Sequence, residues 1–158
     1  TFVVKAGTAP ARQARDATGR LEVNLAYRAI LESFASEPHR PQRAGKRLAA
    51  SGEDAVIEVA FISPEIGARY REKLDRLAAE TGWRIEASLV SNQNAILEAA
   101  RELLRARTIR KGPSWFPADR KVTAVVERLD GPEDADRLSA ELLERTGCRL
   151  EVSGFSRG

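Results

Sequence analysis

Methionine is absent from this 158-residue chain, and cysteine and histidine occur once each, as Cys148 and His39. One cysteine excludes an internal disulfide framework, and a lone thiol with a lone imidazole leaves no ligand spacing for a structural zinc. No apolar run approaches the roughly 20 residues that a membrane-spanning helix needs. The opening TFVVKAGTAP lacks the charged start and long apolar centre of a signal peptide. These absences point to a cytoplasmic protein with no membrane, metal or cofactor. The chain is long enough to bury a full core without staples. It opens on Thr1, and with no methionine anywhere, that start points to a fragment, a processed product or a domain of a larger protein.

What the chain does have is arginine. The net charge is only +3, but arginine far outnumbers lysine, and much of it gathers in two short segments. The guanidinium is the better fork for phosphates, although a biased genome composition also raises arginine content.

The most informative pattern is a repeat. RLAAETGWRIEAS, residues 76–88, returns 65 positions later as ELLERTGCRLEVS, residues 141–153. Ahead of the first copy lies AVIEVAFI, from Ala55, an apolar run rich in β-branched residues that reads as a central strand. Ser63 can cap the next helix and Pro64 suits its first position. Ile66, Tyr70, Leu74 and Leu77 then recur on one helical face until Gly82, which suits a left-handed helix end. Trp83, Ile85, Ala87 and Leu89 alternate with polar residues, as in a strand with one buried face. The second copy repeats this with KVTAVVERL, a helix opened by Pro132, Gly147, and an inward series of Cys148, Leu150 and Val152.

Outside the repeat, Tyr27, Ile30, Leu31 and Phe34 mark an N-terminal helix, with Asn24 as its expected cap. Ile96, Ala100 and Leu103 mark an inserted helix over 92–106, with Ser91 or Asn92 as its cap. EPHRPQRAGKR, residues 37–47, reads as a basic loop. The expected organisation is an arm over 1–20, a helix and basic loop over 21–50, and an α/β domain over 51–158 with halves 51–111 and 112–158. The fold class is α+β: two βαβ halves forming a four-stranded ferredoxin-like or KH-like α/β sandwich, with the first strand of each half central.

LDRLAAETGWRIEA and LSAELLERTGCRLEV resemble the helix-to-strand segment of K-homology (KH) RNA-binding domains, where a leucine-bearing helix ends in Thr-Gly before an amphipathic strand. The resemblance covers about fifteen residues in each half and implies RNA binding. The glycine-rich GxxG loop with which KH domains clamp the RNA backbone has no counterpart: Ala68 to Arg71 and Glu133 to Asp136 carry no glycine pair.

Catalytic chemistry has little to draw on. His39, between Pro38 and Arg40, reads as a solvated loop residue, and Cys148 as a buried structural thiol. Glu58 and Glu127 could form a metal pair, but a polar sheet face against Arg84 or Arg149 accounts for them better. No phosphate-cradling glycine loop is present, so no intrinsic catalytic activity is expected. A nucleic-acid interface has more support, in RARTIRKGPSWFPADRK, residues 105–121. There Arg105, Arg107, Arg110, Lys111, Arg120 and Lys121 flank Trp115 and Phe116, cations beside aromatics in what reads as an exposed loop. Two readings of the aromatics stay open, stacking on bases or folding back to cap the sheet. Arg40, Arg43, Lys46 and Arg47 add a second basic patch, and Asn92 and Asn94 sit at a helix start that favours anions. The polar sheet face of Arg84, Glu86, Arg149 and Glu151 offers no aromatic for stacking. The chain is therefore expected to be a nucleic-acid-binding module, for single-stranded or structured RNA. The alternatives are a protein-interaction or regulatory domain of a larger assembly, or an enzyme fragment whose catalytic groups lie elsewhere.

Overall fold

The computed structural model describes residues 15–16, 18–48 and 55–155. Most of the expected arm, including all of residues 1–14, lies outside the described residues. The chain divides into two compact units: Thr1–Phe61 with Gly67–Ser88, and Ile62–Ile66 with Leu89–Gly158.

The first unit contains helix α1 (Val23–Ser33), strands β1 (Arg43–Leu48) and β2 (Ala55–Ala60), helix α3 (Arg71–Thr81) and strand β3 (Ile85–Ala87). The short helix α2 (Pro64–Arg69) crosses the division in the chain. The sheet order is β1-β2-β3, with β1 antiparallel and β3 parallel to β2. The second unit contains α4 (Gln93–Leu103), β4 (Ile109–Phe116), β5 (Lys121–Val126), α5 (Pro132–Thr146) and β6 (Arg149–Gly154). Its sheet order is β4-β5-β6, again with one antiparallel and one parallel partner for the middle strand.

The protein is thus α+β, but its strands form two three-stranded sheets where one four-stranded sheet was expected. The apolar runs β2 and β5 are central within their own sheets, each already supplied with partners on both sides. Those partners include β1 and β4, which the sequence presents as basic loops. The repeat therefore extends well beyond the quoted stretches, since each unit runs helix, strand, strand, helix, strand.

Each element has a local cause. Gly82 (φ 77°) and Gly147 (φ 74°) end their helices in the left-handed conformation expected of them. The threonine before each glycine folds back: Thr81 and Thr146 donate to Leu77 O and Leu142 O, and their hydroxyls accept from Trp83 N and Cys148 N. Ser63 caps α2 by accepting from Ile66 N at 3.2 Å, and its hydroxyl donates to Thr146 O. Asn92 caps α4 through Ala95 N at 3.0 Å. The cap of α1 is Glu22 rather than Asn24, whose backbone N–H it accepts. The helical stripe from Ile66 to Leu77 is interrupted at Tyr70, where the backbone (φ −107°, ψ 18°) leaves helical values. Leu89 faces solvent because β3 stops at Ala87, two residues before the alternation ends.

Phe34, Val56, Ile57, Val59 and Trp83 are buried in the first unit, and the Trp83 indole N–H donates to Leu21 O at 2.7 Å. In the second, α4 and α5 pack Ile96, Ala100, Leu104, Leu138 and Leu142 over Val122, Ala124, Val126, Cys148 and Leu150. Among the described residues no helix is long and apolar enough to cross a membrane.

Candidate nucleic-acid interface

The expected cations lie on β1, on β4, at the start of β5 and in the segments beside these strands, and internal partners divide them sharply. Arg47 pairs with Glu58 at 3.1 Å and also with Glu86, across three strands of the first sheet. The hydrogen bond to Glu58 raises its already high pKa. Arg40 donates to Ala35 O at 2.9 Å. Arg107 pairs with Asp134, which also takes Arg137 at 2.6 Å and the backbone N–H of Asp130 at 3.1 Å. The Arg107 bond, more than the others, holds the Asp134 carboxyl below the usual range. Arg110 pairs with Glu127 at 3.0 Å and lies over the Phe155 ring. Arg120 grips Glu65 with two bonds, of 2.6 and 2.8 Å, and these keep the Glu65 carboxyl below its ordinary value. Lys121 pairs with Glu151 at 3.0 Å.

Four expected cations are left: Arg43, Lys46, Arg105 and Lys111 are exposed, with no ion pair or side-chain hydrogen bond among the described residues. Two of them share a register position. The helix-ending glycines stand 65 positions apart, and the same shift maps Ala60 on Val125. Arg43 lies opposite Ala60 on β1 and Lys111 lies opposite Val125 on β4. Each unit thus carries an unpaired cation at the same place on its edge strand.

Trp115 and Phe116 do not form a joint platform. They are consecutive residues of a strand, so they point to opposite faces. Trp115 packs half-buried against the core of the second unit, beneath the Arg120 guanidinium, while Phe116 is 44% exposed on the outward face. Of the amides, Asn92 is occupied as a cap and Asn94 is exposed in the first turn of α4.

The register assembles a surface that sequence reading missed. Three rows cross the outward face of the second sheet: Lys111, Val125 and Ser153; Ser114, Thr123 and Glu151; Phe116, Lys121 and Arg149. A concavity of about 310 Å³ opens there, lined by Lys111, Ser114, Phe116, Thr123, Glu151 and Ser153 among others. The signal was present in the alternation of Ser114 and Phe116 around Trp115, but Gly112 and Pro113 masked it as a turn.

The catalytic candidates are occupied structurally. Nδ1 of His39 lies 2.8 Å from the Tyr70 hydroxyl, within an aromatic cluster with Phe34 and Phe61. Cys148 is 1% exposed and burial pushes its thiol up, away from the thiolate. Glu58 and Glu127 pair with Arg47 and Arg110, and they belong to different units. Among the described residues no group of three or more His, Cys, Asp or Glu could hold a metal ion. No protein-family model matches the chain, and the search of curated proteins returned no match.

Proposed function

We propose that the chain is a nucleic-acid-binding module acting on single-stranded or structured RNA, as part of a larger protein, with each unit a KH-like element. The carrying observation is the pair of register-equivalent, unpaired cations Arg43 and Lys111 on the two edge strands, joined by Lys46 and Arg105. A carboxylate neutralises most other expected cations, so these four are the ones a phosphate can recruit without breaking an internal pair. The KH-like reading is supported by the two Thr-Gly helix ends and the strands that follow them. It departs from the family at the clamp loop, where the first unit has a helix break around Tyr70 and the second a continuous helix. A backbone grip through a GxxG loop is therefore not part of the proposal.

The test is affinity for a labelled single-stranded RNA as a function of salt. For single strands the logarithmic slope is about −0.7 per neutralised phosphate. Alanine at Arg43 and at Lys111 should each flatten it by about that amount. Alanine at Arg120, locked to Glu65, should leave it unchanged. Failure to bind any RNA or DNA strand at low salt overturns the proposal. One observation then favours a protein-interaction domain: β1 is an exposed edge strand whose outer backbone groups could accept a partner strand.

A further inference from the structure

The two sheets are built alike but their charged faces are not. On the first sheet, Arg47 lies opposite Val56; on the second, Phe116 lies opposite Lys121, the residue that the 65-position shift maps on Val56. Arg47 and Phe116 therefore hold equivalent positions. Arg47 is tied to Glu58 and Glu86, and Arg84 also pairs with Glu86, so ion pairs close that face. On the second sheet, an aromatic ring stands at that place, exposed, at the rim of a concavity with hydroxyls of Ser114, Thr123 and Ser153.

We propose that the outward face of the second sheet is a base-stacking subsite for single-stranded nucleic acid, with Phe116 as the stacking ring, and that the first sheet contributes phosphate contact only. The inference rests on the nucleic-acid reading above and assigns its base-reading element to one unit. The charge pattern fits that occupant. Lys111 stands free at one end of the face and Lys121 and Arg149 at the other, against the single carboxylate Glu151. At about 3.3 Å per residue, Lys121 and Val125 are about 13 Å apart along β5, so a base on Phe116 would have Lys121 and Arg149 beside it in the same row and Lys111 about that distance away along the strands. The hydroxyls between can donate to or accept from base edges, and the opposite face of the sheet is filled by the core. The arrangement needs no glycine loop, consistent with the absence of one at Ala68 to Arg71 and Glu133 to Asp136.

The experiment measures affinity of the whole chain for fluorescein-labelled oligo-uridine and oligo-deoxythymidine, with wild type, Phe116→Ala, Phe116→Leu, Phe116→Tyr and Lys111→Ala. Thermal melts accompany each variant. Phe116→Ala and Phe116→Leu should weaken binding by about five-fold to a hundred-fold, the span given by loss of one stacked base, with the salt slope unchanged. Phe116→Tyr should bind as wild type. Equal affinity for the two oligonucleotides supports a subsite that reads the base; a preference for oligo-uridine supports one that also reads the 2′-hydroxyl. Amide shifts on adding oligo-uridine to isotope-labelled protein should centre on Ser114, Thr123 and Ser153. If Phe116→Ala binds as tightly as wild type while Lys111→Ala loses affinity, the stacking subsite is overturned and the nucleic-acid reading stands. Full binding by Phe116→Leu also overturns stacking. If wild type binds neither oligonucleotide, both proposals fall.

Discussion

Replacing Gly147 by alanine tests the repeat at its most constrained point. Gly147 has φ 74°, a conformation that costs an L-residue about 1–2 kcal/mol. A Cβ there would also sit 2.6 Å from the Glu65 Cβ, 3.1 Å from the Ser63 hydroxyl and 3.3 Å from Ile66 N. The nearest of these is an atom next to the backbone of α2, which a side-chain rotation cannot move aside. Forcing extra volume into a packed site costs about 1–3 kcal/mol more, giving about 2–5 kcal/mol in all. For a unit of this size each kcal/mol shifts melting by about 4–8 °C, so calorimetry should show a drop of about 10 °C or more. Gly45→Ala is the control, since nothing lies within 4 Å of a Cβ built there; it should change stability by about 0.5 kcal/mol or less. Melting of Gly147→Ala within about 2 °C of wild type would refute both the helix-end conformation and its packing on α2.

Other outcomes follow from the same geometry. Trp115→Ala should destabilise by about 1–3 kcal/mol, because the ring packs on the core, whereas Phe116→Ala should melt within about 0.5 kcal/mol of wild type; denaturant titration separates the two. The Asp134 carboxyl is held below its ordinary 3.8, so its contribution to stability is complete above that pH and disappears as pH falls through the lowered folded value. Asp134→Asn should thus melt lower than wild type at neutral pH, and acid melts should show the gap closing below about 3.8. Glu151→Gln removes the carboxylate from the outward face and frees Lys121, so it should tighten oligo-uridine binding and steepen its salt dependence.

The strands and helices that bury an apolar face were legible in sequence, and those that do not were hidden. AVIEVA and KVTAVV announce central strands because the apolar residues have nowhere else to go, and Thr-Gly announces the helix ends that follow. RAGKRL has no apolar alternation, since five of its six residues are exposed, and nothing in its residues distinguishes an edge strand from a loop. IRKGPSWF contains a Gly-Pro pair that argues against a strand; two register shifts let an edge strand accommodate it. Losing those two strands turned two sheets into one and placed Trp115 and Phe116 side by side on a loop. The cations were recognisable by type, but which of them are neutralised depends on carboxylates distant in sequence, such as Glu65 for Arg120 and Asp134 for Arg107.

Two adjacent copies of one topology face a hazard during folding, because a strand can dock in its neighbour's sheet. The edge strands are where that exchange would begin. Lys46 lies opposite Ile57 and Trp115 lies opposite Val122, and the 65-position shift maps Ile57 on Val122. A β1 segment docked in the second sheet would thus put Lys46 where the Trp115 ring packs on the core, and the apolar contact of that ring would be lost. The reverse exchange would bring a proline with no N–H to offer and a doubly shifted register to a strand that pairs residue for residue. The divergence of the two edges thus works against either sheet taking up the other's edge strand.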